Sequence, residues 1–344
     1  MAIKVAINGL GRIGRTFFRM AQNHPEIEIV AVNDLGDVNN LAYLLKYDTA
    51  YGRSAFDVAV AEGGFVVNGK TSKFYSERDP SKLPWGTLGI DVVVESTGVF
   101  ETYEKAKTHL TAGAKRVVLS APISGDPVAA GVKGGIVLMG VNEGDLATCD
   151  ISSNASCTTN AASPLIAILH EGIGIERALL NTVHAYTATQ SLQDGPGGKD
   201  YRRGRAAAQN IVPNSTGAAI AVTEAYPSLK GKFDGIALRV PVPVGSIVDI
   251  TFVSSRPTTK EEVNEVLKKA AASPKWEGLF GVTEEQLVSS DIIGATHASI
   301  ADLNFTRVVD GTLVKVLGWY DNETSYTATL VSHVIKSGTA VSSK

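Results

Sequence analysis

Cysteine is nearly absent from this chain: Cys149 and Cys157 are the only two among 344 residues. Two thiols cannot build a disulfide framework, which excludes the small cross-linked secreted scaffolds and points to a reducing, cytoplasmic setting. Basic charge is not in excess either. The 32 Lys and Arg against 35 Asp and Glu leave a net charge of −3, without the electrostatic footprint of a nucleic-acid binder. No apolar run approaches the roughly 20 residues that span a bilayer. The N-terminus opens as a strand rather than as a basic stretch with an apolar leader, so neither a membrane anchor nor a secretory leader is expected. The histidines carry no zinc-type spacing, and no metal is expected. Internal repeats and low-complexity segments are missing as well.

What the chain does have is length and apolar content, 344 residues at 44% hydrophobic, enough for large cores and two domains. Residues 3–7 form a short apolar run, followed at once by Gly9-Leu10-Gly11-Arg12-Ile13-Gly14. Apolar positions at helical spacing come next, then a second strand over 27–32 ending at Asn33-Asp34. Strand, glycine turn, helix, strand and acid in this order form a dinucleotide-binding fingerprint. Gly9, Gly11 and Gly14 allow a tight turn, close approach to a pyrophosphate and close helix–strand packing. The Asp34 carboxylate would accept hydrogen bonds from the ribose hydroxyls and repel a 2′-phosphate, which favours NAD over NADP. A turn or capping role for Asp34 is the plainer alternative.

Strand and helix patterns alternate up to about residue 155: strands over 91–95, 116–120 and 136–142, with a helix over 102–110. Such alternation predicts a mainly parallel sheet whose ligands lie beyond the strands' carboxyl ends, near Gly98, Ser120 and Asn142. The second half reads as a mixed sheet with helices over 218–225, 259–272 and 322–336. It also carries a long polar loop, 190–204, of the length that implies function or packing.

One segment bears the chemistry: Asp150-Ile-Ser-Ser-Asn-Ala-Ser-Cys157-Thr-Thr-Asn160, ahead of an apolar helical run. A lone cysteine is usually an inert core residue. At a helix start, however, the backbone dipole and unpaired amides favour thiolate, and the same amides can hold an oxyanion. Such a thiolate needs a base, and His184, at a polar strand end, has the right chemistry. Arg239 interrupts an apolar strand, where a buried charge requires a partner such as a phosphate. Asn214-Ser215-Thr216-Gly217 precedes a helix and would either cap it or donate to a phosphate.

Together these motifs resemble the phosphorylating glyceraldehyde-3-phosphate dehydrogenase family over essentially the whole chain. The resemblance is carried by Ile7-Asn8-Gly9-Leu-Gly-Arg12-Ile13-Gly, Leu-Lys-Tyr-Asp48, Asp91-Val-Val-Val-Glu-Ser-Thr97-Gly98, Ser156-Cys157-Thr158-Thr159-Asn160, Arg239-Val-Pro and Trp319-Tyr-Asp-Asn322-Glu. It implies an α/β protein, a Rossmann-type doubly wound parallel sheet with a second α+β catalytic domain. The NAD domain would comprise 1–155 plus a returning C-terminal helix in 320–344, and the catalytic domain 156–319. It implies oxidation of glyceraldehyde 3-phosphate to 1,3-bisphosphoglycerate with NAD and inorganic phosphate, through a cysteine hemithioacetal and thioester. Cys157 would be the nucleophile and His184 its base. Ser156, Thr158, Thr187, Arg205, Thr216, Gly217 and Arg239 would line two anion sites. Arg12, Ile13, Asp34, Arg78, Thr97, Ser120 and Asn322 would join the glycines at NAD.

The resemblance further implies a homotetramer, with the 190–204 loop near a neighbouring subunit's cofactor. Two departures stand out. Ala161 replaces a second cysteine common in the family, and Gly195-Pro196 replaces a Leu-Pro pair of NAD-specific members, leaving room for some NADP use. An erythrose-4-phosphate dehydrogenase of the same superfamily is the nearest alternative. An NAD-binding, non-enzymatic regulator is the alternative from another class.

Overall fold

The computed structural model describes residues 2–61 and 63–342. The chain divides into two compact units, Met1–Ala155 with Thr327–Lys344, and Ser156–Tyr326. The second junction falls at Tyr326/Thr327, inside the last helix, rather than at residue 320.

The first unit is built on a nine-stranded sheet. Its parallel part runs, in spatial order, Gly134–Ile136, Ile151–Ser153, Arg116–Leu119, Val92–Glu95, Ile3–Asn8, Ile27–Asn33 and Lys70–Tyr75. Two antiparallel strands, Gly64–Val67 and Val58–Ala61, extend one edge. The central strands read as continuous apolar runs because both faces are covered: Val5, Ala6, Ile7, Val92, Val93 and Val94 are wholly buried. Two sequence expectations change here. The 136–142 stretch is a strand only at its start; beyond Ile136 the chain turns, with Asn142 holding Leu138 N–H (2.8 Å) and the Ile136 carbonyl (3.0 Å). The edge hairpin over 58–67, half-exposed and short of strong alternation, gave no pattern to read.

The C-terminal helix Thr324–Ser342 packs on this unit from residue 327 onward. Gly338 lets it approach Ile3, whose Cγ2 would lie 2.4 Å from an added Cβ. His333, fully buried, bonds Ser152 Oγ (2.7 Å) and Asn154 Oδ1 (3.2 Å), fastening the helix to strand Ile151–Ser153. Burial pushes the His333 imidazole down to about 3, so it stays neutral there.

The second unit holds a mixed eight-stranded sheet. At its centre, Ile175–Ala185 pairs in parallel with Phe233–Val240 and antiparallel with Ser246–Ser254. The register sets His184 opposite Arg239. Helix Cys157–Gly172 lies against this sheet, apolar from Ala161 through Leu169 apart from Ser163, with every residue in that stretch buried. Helices Ala218–Ala225 and Lys260–Ala271 pack beside it; Thr259 caps the latter by accepting from Glu262 N–H. Ser299–Asp302 and Arg307–Val309 are two strands separated by a tight turn over Leu303–Phe305. The 190–204 loop closes on itself, with Gly195 N–H on the Gly204 carbonyl (2.8 Å) and Ser191 N–H on that of Arg203 (3.0 Å). Among the described residues no helix is long and apolar enough to cross a membrane.

Candidate active site

Cys157 is the first residue of its helix, and Ser156 caps it: the Ser156 hydroxyl accepts from Thr159 N–H at 3.1 Å. The chain reaches this point through Ala155 at φ +54°, a left-handed turn unusual for a side-chain-bearing residue. The turn ends strand Ile151–Ser153 and starts the helix within a few residues, leaving the thiol at the helix's positive end.

The sulfur lies 3.2 Å from His184 Nε2. Cys157 keeps part of its surface open, while His184 is 2% exposed. Burial pushes the Cys157 thiol up, against the pull of the Arg239 charge and hydrogen bonds from Thr158 and its own N–H. Burial and the Arg239 charge push the His184 imidazole down to about 3. Burial thus opposes the pull that a helix start exerts on the thiol, and it lowers the imidazole beside it.

His184 is held on its far side. Nδ1 lies 2.6 Å from the Ala185 carbonyl and 2.5 Å from Arg239 NH1, which also donates to that carbonyl at 3.0 Å. Ala185 is fixed in turn: its N–H donates to Ser246 Oγ (3.1 Å), and that hydroxyl donates to Asn322 Oδ1 (3.1 Å). Asn322 thus belongs to the second unit and supports the histidine strand. The other cofactor candidates all lie in the first unit.

Sequence reasoning missed Tyr320. Its hydroxyl bridges Thr158 Oγ1 (2.9 Å) and Thr182 Oγ1 (2.8 Å), and its ring meets that of His184 edge-on at 6.0 Å. It is fully buried, and burial raises its phenol well above the ordinary value, so it remains a neutral hydrogen-bonding strut. The signal was present: Tyr320 stands in the Trp-Tyr-Asp-Asn motif, and Thr182 is on the same strand face as His184.

Cys157, His184 and Arg239 are thus brought together, with Ser156 beside them. The remaining anion-site candidates make local contacts. Thr158 points its hydroxyl at Tyr320, and Thr187 pairs with Thr189 (2.9 Å). Arg205 is exposed and bonds Asp194 (3.1 Å). The Thr216 hydroxyl accepts from Ala218 N–H (3.2 Å) just before helix Ala218–Ala225, for which Gly217 is the N-cap.

In the first unit the glycine turn follows strand Ile3–Asn8 directly. Gly9 has φ +95°, and a Cβ there would come within 2.7 Å of Thr97 N. One at Gly14 would strike the Gly9 carbonyl at 2.1 Å. Protein packing explains both. Gly11 is different: its φ is −67° and an added Cβ would meet no atom within 4 Å. Nothing in the chain requires a glycine there, whereas a pyrophosphate at the start of helix Arg12–Ala21 would. No side chain caps that helix, whose first turn, beginning with Arg12 and Ile13, contains no acidic residue. The residues fit a dinucleotide.

Asp34 ends its strand and accepts from Leu10 N–H (2.6 Å) and Gly36 N–H (2.8 Å), so it also ties the glycine turn to the second strand. Beneath the turn lies a buried polar cluster: Asn33 donates to Asn8 (2.7 Å), and Asn8 and His109 both bond Glu95 (2.6 and 2.9 Å). The Thr97 N–H and hydroxyl also go to Glu95. Arg12 pairs with Asp48 (2.5 Å), Ser120 closes its strand half-buried, and Arg78 stands exposed after Lys70–Tyr75. Among the described residues there is no cluster of metal-ligating side chains.

Comparison with known proteins agrees with this arrangement. Residues 3–103 match the model of the glyceraldehyde 3-phosphate dehydrogenase NAD binding domain, and residues 156–322 that of its C-terminal domain. The chain is 48% identical over 343 residues to glyceraldehyde-3-phosphate dehydrogenase 1 of Bacillus subtilis (strain 168), covering 98% of this chain and 100% of that one. Identity to the Geobacillus stearothermophilus glyceraldehyde-3-phosphate dehydrogenase is 49% over 333 residues, covering 96% and 97%. Identity to that of Haemophilus influenzae is 47% over 341 residues, covering 97% and 98%. With both units matched and nearly every residue aligned, the chain belongs to the glyceraldehyde-3-phosphate dehydrogenase family.

Proposed function

We propose that the protein oxidises glyceraldehyde 3-phosphate to 1,3-bisphosphoglycerate with NAD and inorganic phosphate, using Cys157 as nucleophile and His184 as base. The 3.2 Å approach of Cys157 Sγ to His184 Nε2 at a capped helix start carries this reading. The sulfur adds to the aldehyde carbon, its proton passes to the new oxygen, and a hemithioacetal forms. The helix-start amides steady the developing oxyanion. Gly9, Gly11, Arg12, Ile13, Gly14, Asp34, Arg78, Thr97, Ser120 and Asn322 would hold NAD, which would supply the hydride acceptor. His184 Nε2 takes the hydroxyl proton as the thioester forms. Ser156, Thr158, Thr187, Arg205, Thr216, Gly217 and Arg239 hold the substrate phosphate and the attacking phosphate. Phosphate oxygen then displaces the sulfur, giving the acyl phosphate and restoring the thiol with the proton from His184.

NADH formation from glyceraldehyde 3-phosphate, followed with and without phosphate, tests this. Sustained turnover is expected only when phosphate or arsenate is present. Equal turnover without either indicates hydrolysis of the thioester, the behaviour expected of the erythrose-4-phosphate enzyme.

Asp34 selects NAD. Replacing Asp34 by Ala is expected to weaken NAD about 10-fold or more, the value of charge-assisted hydrogen bonds, and to improve NADP relative to NAD. Because Asp34 also anchors Leu10 and Gly36, titration with both cofactors is decisive: parallel losses would reduce its role to the turn.

The protein works in the cytoplasm as a homotetramer. Its exposed loop residues Leu192 (78%) and Tyr201 (84%), together with nearby Ile211, supply apolar surface suited to subunit contact.

A further inference from the structure

Glu95 ends strand Val92–Glu95 beside the glycine turn, where the next residue, Ser96, donates its hydroxyl to the Gly9 carbonyl (2.7 Å). Its carboxyl is buried among donors. Asn8 Nδ2 (2.6 Å) and His109 Nε2 (2.9 Å) donate to one oxygen, and Thr97 gives its N–H (2.8 Å) and its hydroxyl to the other. Two further contacts fix who donates. Asn33 Nδ2 occupies Asn8 Oδ1 at 2.7 Å, so the Asn8 amide turns its NH2 to Glu95. The Trp85 indole N–H meets His109 Nδ1 at 3.1 Å, which leaves that nitrogen bare and puts the ring's one proton on Nε2. Three fixed donors and a hydroxyl are the surroundings of an ionised carboxylate.

No cation balances that charge. Its one ion-pair contact among the described residues is His109, whose ring is neutral in this arrangement. Hydrogen bonds solvate a buried charge without cancelling it, so its field reaches outward through a medium that screens poorly. An unbalanced buried charge costs stability, and a neutral amide network could brace the turn without it. The sheet sets what the field meets. Strands Val92–Glu95, Ile3–Asn8 and Ile27–Asn33 are neighbours in that order. The glycine turn follows the middle strand and Asp34 the third. With Asp34 at the adenosine ribose and the turn at the pyrophosphate, the strand of Glu95 is left on the nicotinamide side. Only that half of the cofactor changes charge in the reaction: the oxidised ring is a cation and the reduced ring is neutral.

We propose that Glu95 determines which redox state of the cofactor the first unit prefers: its fixed negative charge favours the cationic oxidised ring over the neutral reduced one. This deepens the function proposed above and rests on the first unit holding NAD through its glycine turn and Asp34. Asn8, His109 and Thr97 act through Glu95, keeping it ionised and in place. The pyrophosphate meets the same charge in both cofactors, so repulsion there cancels when the two are compared. The protein thereby holds NAD against accumulating NADH and releases the reduced form more readily after hydride transfer.

Equilibrium titration of the full-length protein with NAD and with NADH tests this in the wild type, Glu95→Gln and Glu95→Asp. The ratio Kd(NAD)/Kd(NADH) is expected to rise about tenfold in Glu95→Gln, the order expected of two unit charges acting through protein beyond contact distance. In Glu95→Asp, which shortens the side chain and keeps the charge, the ratio is expected to stay within about twofold of wild type, even where both affinities fall. Parallel losses in Glu95→Gln, with the ratio unchanged, overturn the proposal and reduce the cluster to a brace for the turn. A ratio that moves as far in Glu95→Asp as in Glu95→Gln overturns it too. If Glu95→Gln does not fold, infrared difference spectra between the NAD and NADH complexes of wild type labelled with ¹³C-glutamate decide. A carboxylate stretch that shifts between the two complexes supports the charge, and a protonated-carboxyl band in either overturns it. Failure of the wild type to bind either cofactor would instead sink the dinucleotide reading itself.

Discussion

Cys157→Ser is expected to abolish turnover while leaving NAD affinity within about twofold of wild type. The loss follows from the chemistry of the atom replaced. A serine hydroxyl is far less acidic than a thiol, and a neutral imidazole 3.2 Å away cannot ionise it. Even if an ester formed, alkoxide is a poorer leaving group than thiolate, and phosphate would not displace it. Removal of a nucleophile costs on the order of 10⁴ to 10⁶ in rate when the rest of the site survives. The fold should survive, because the substitution is nearly isosteric and the cap is supplied by Ser156. Single-turnover NADH formation and NAD titration, run on the same preparation, check both halves. Retained turnover would mean that no acyl-enzyme forms on this residue. A retained binding activity of another kind, with no dehydrogenase to lose, would favour the regulator reading.

The first unit was largely legible because its signals are local. A strand, three glycines, a helix and an acid occupy one continuous stretch, and each residue type answers to a backbone need nearby. Gly14 is explained by the Gly9 carbonyl of the same turn and Gly9 by the neighbouring Ser96-Thr97 backbone, while Gly11 meets no atom of the chain. The edge strands Val58–Ala61 and Gly64–Val67 were not legible, since both are short, only the outer one is exposed, and neither carries a clean alternation. The 136–142 stretch misled for a related reason. Val137, Leu138 and Met139 are buried, and burial alone makes an apolar run whether or not the backbone is extended.

The candidate site shows the opposite pattern. Cys157 announced itself through its neighbours, but its environment did not. A sequence cannot report how much water a sulfur loses, and that loss reversed the expected direction of its shift. Nor could it report that Arg239 would stand opposite His184, because the parallel register of two strands 55 residues apart in sequence is set by tertiary packing. Tyr320 was hidden by the same limit. Its partners Thr158 and Thr182 are polar residues that look solvent-facing in the chain and are buried in the fold.

His184→Asn is expected to lower kcat/KM by about 10² to 10⁴ at neutral pH, the usual contribution of a positioned base. The pH profile separates this role from a structural one. Burial and the Arg239 charge keep the wild-type imidazole neutral down to about 3, so its protonation should leave no acid limb between pH 5 and 8. In the variant nothing takes the thiol proton in place, and the thiol itself is pushed up by burial. Its rate should therefore climb about tenfold per pH unit, as hydroxide and solvent substitute for the ring, and the deficit should shrink toward alkaline pH. The same shift has a stability consequence of known sign. A histidine that binds its proton more weakly folded than unfolded costs stability as pH falls below about 6.5 toward 3, and the variant should lose part of that acid sensitivity, His333 retaining its own share. Initial rates and urea midpoints from pH 5 to 9 measure both. A deficit that stays constant across the range, with an unchanged acid slope in stability, would show that His184 shapes the site without moving its proton.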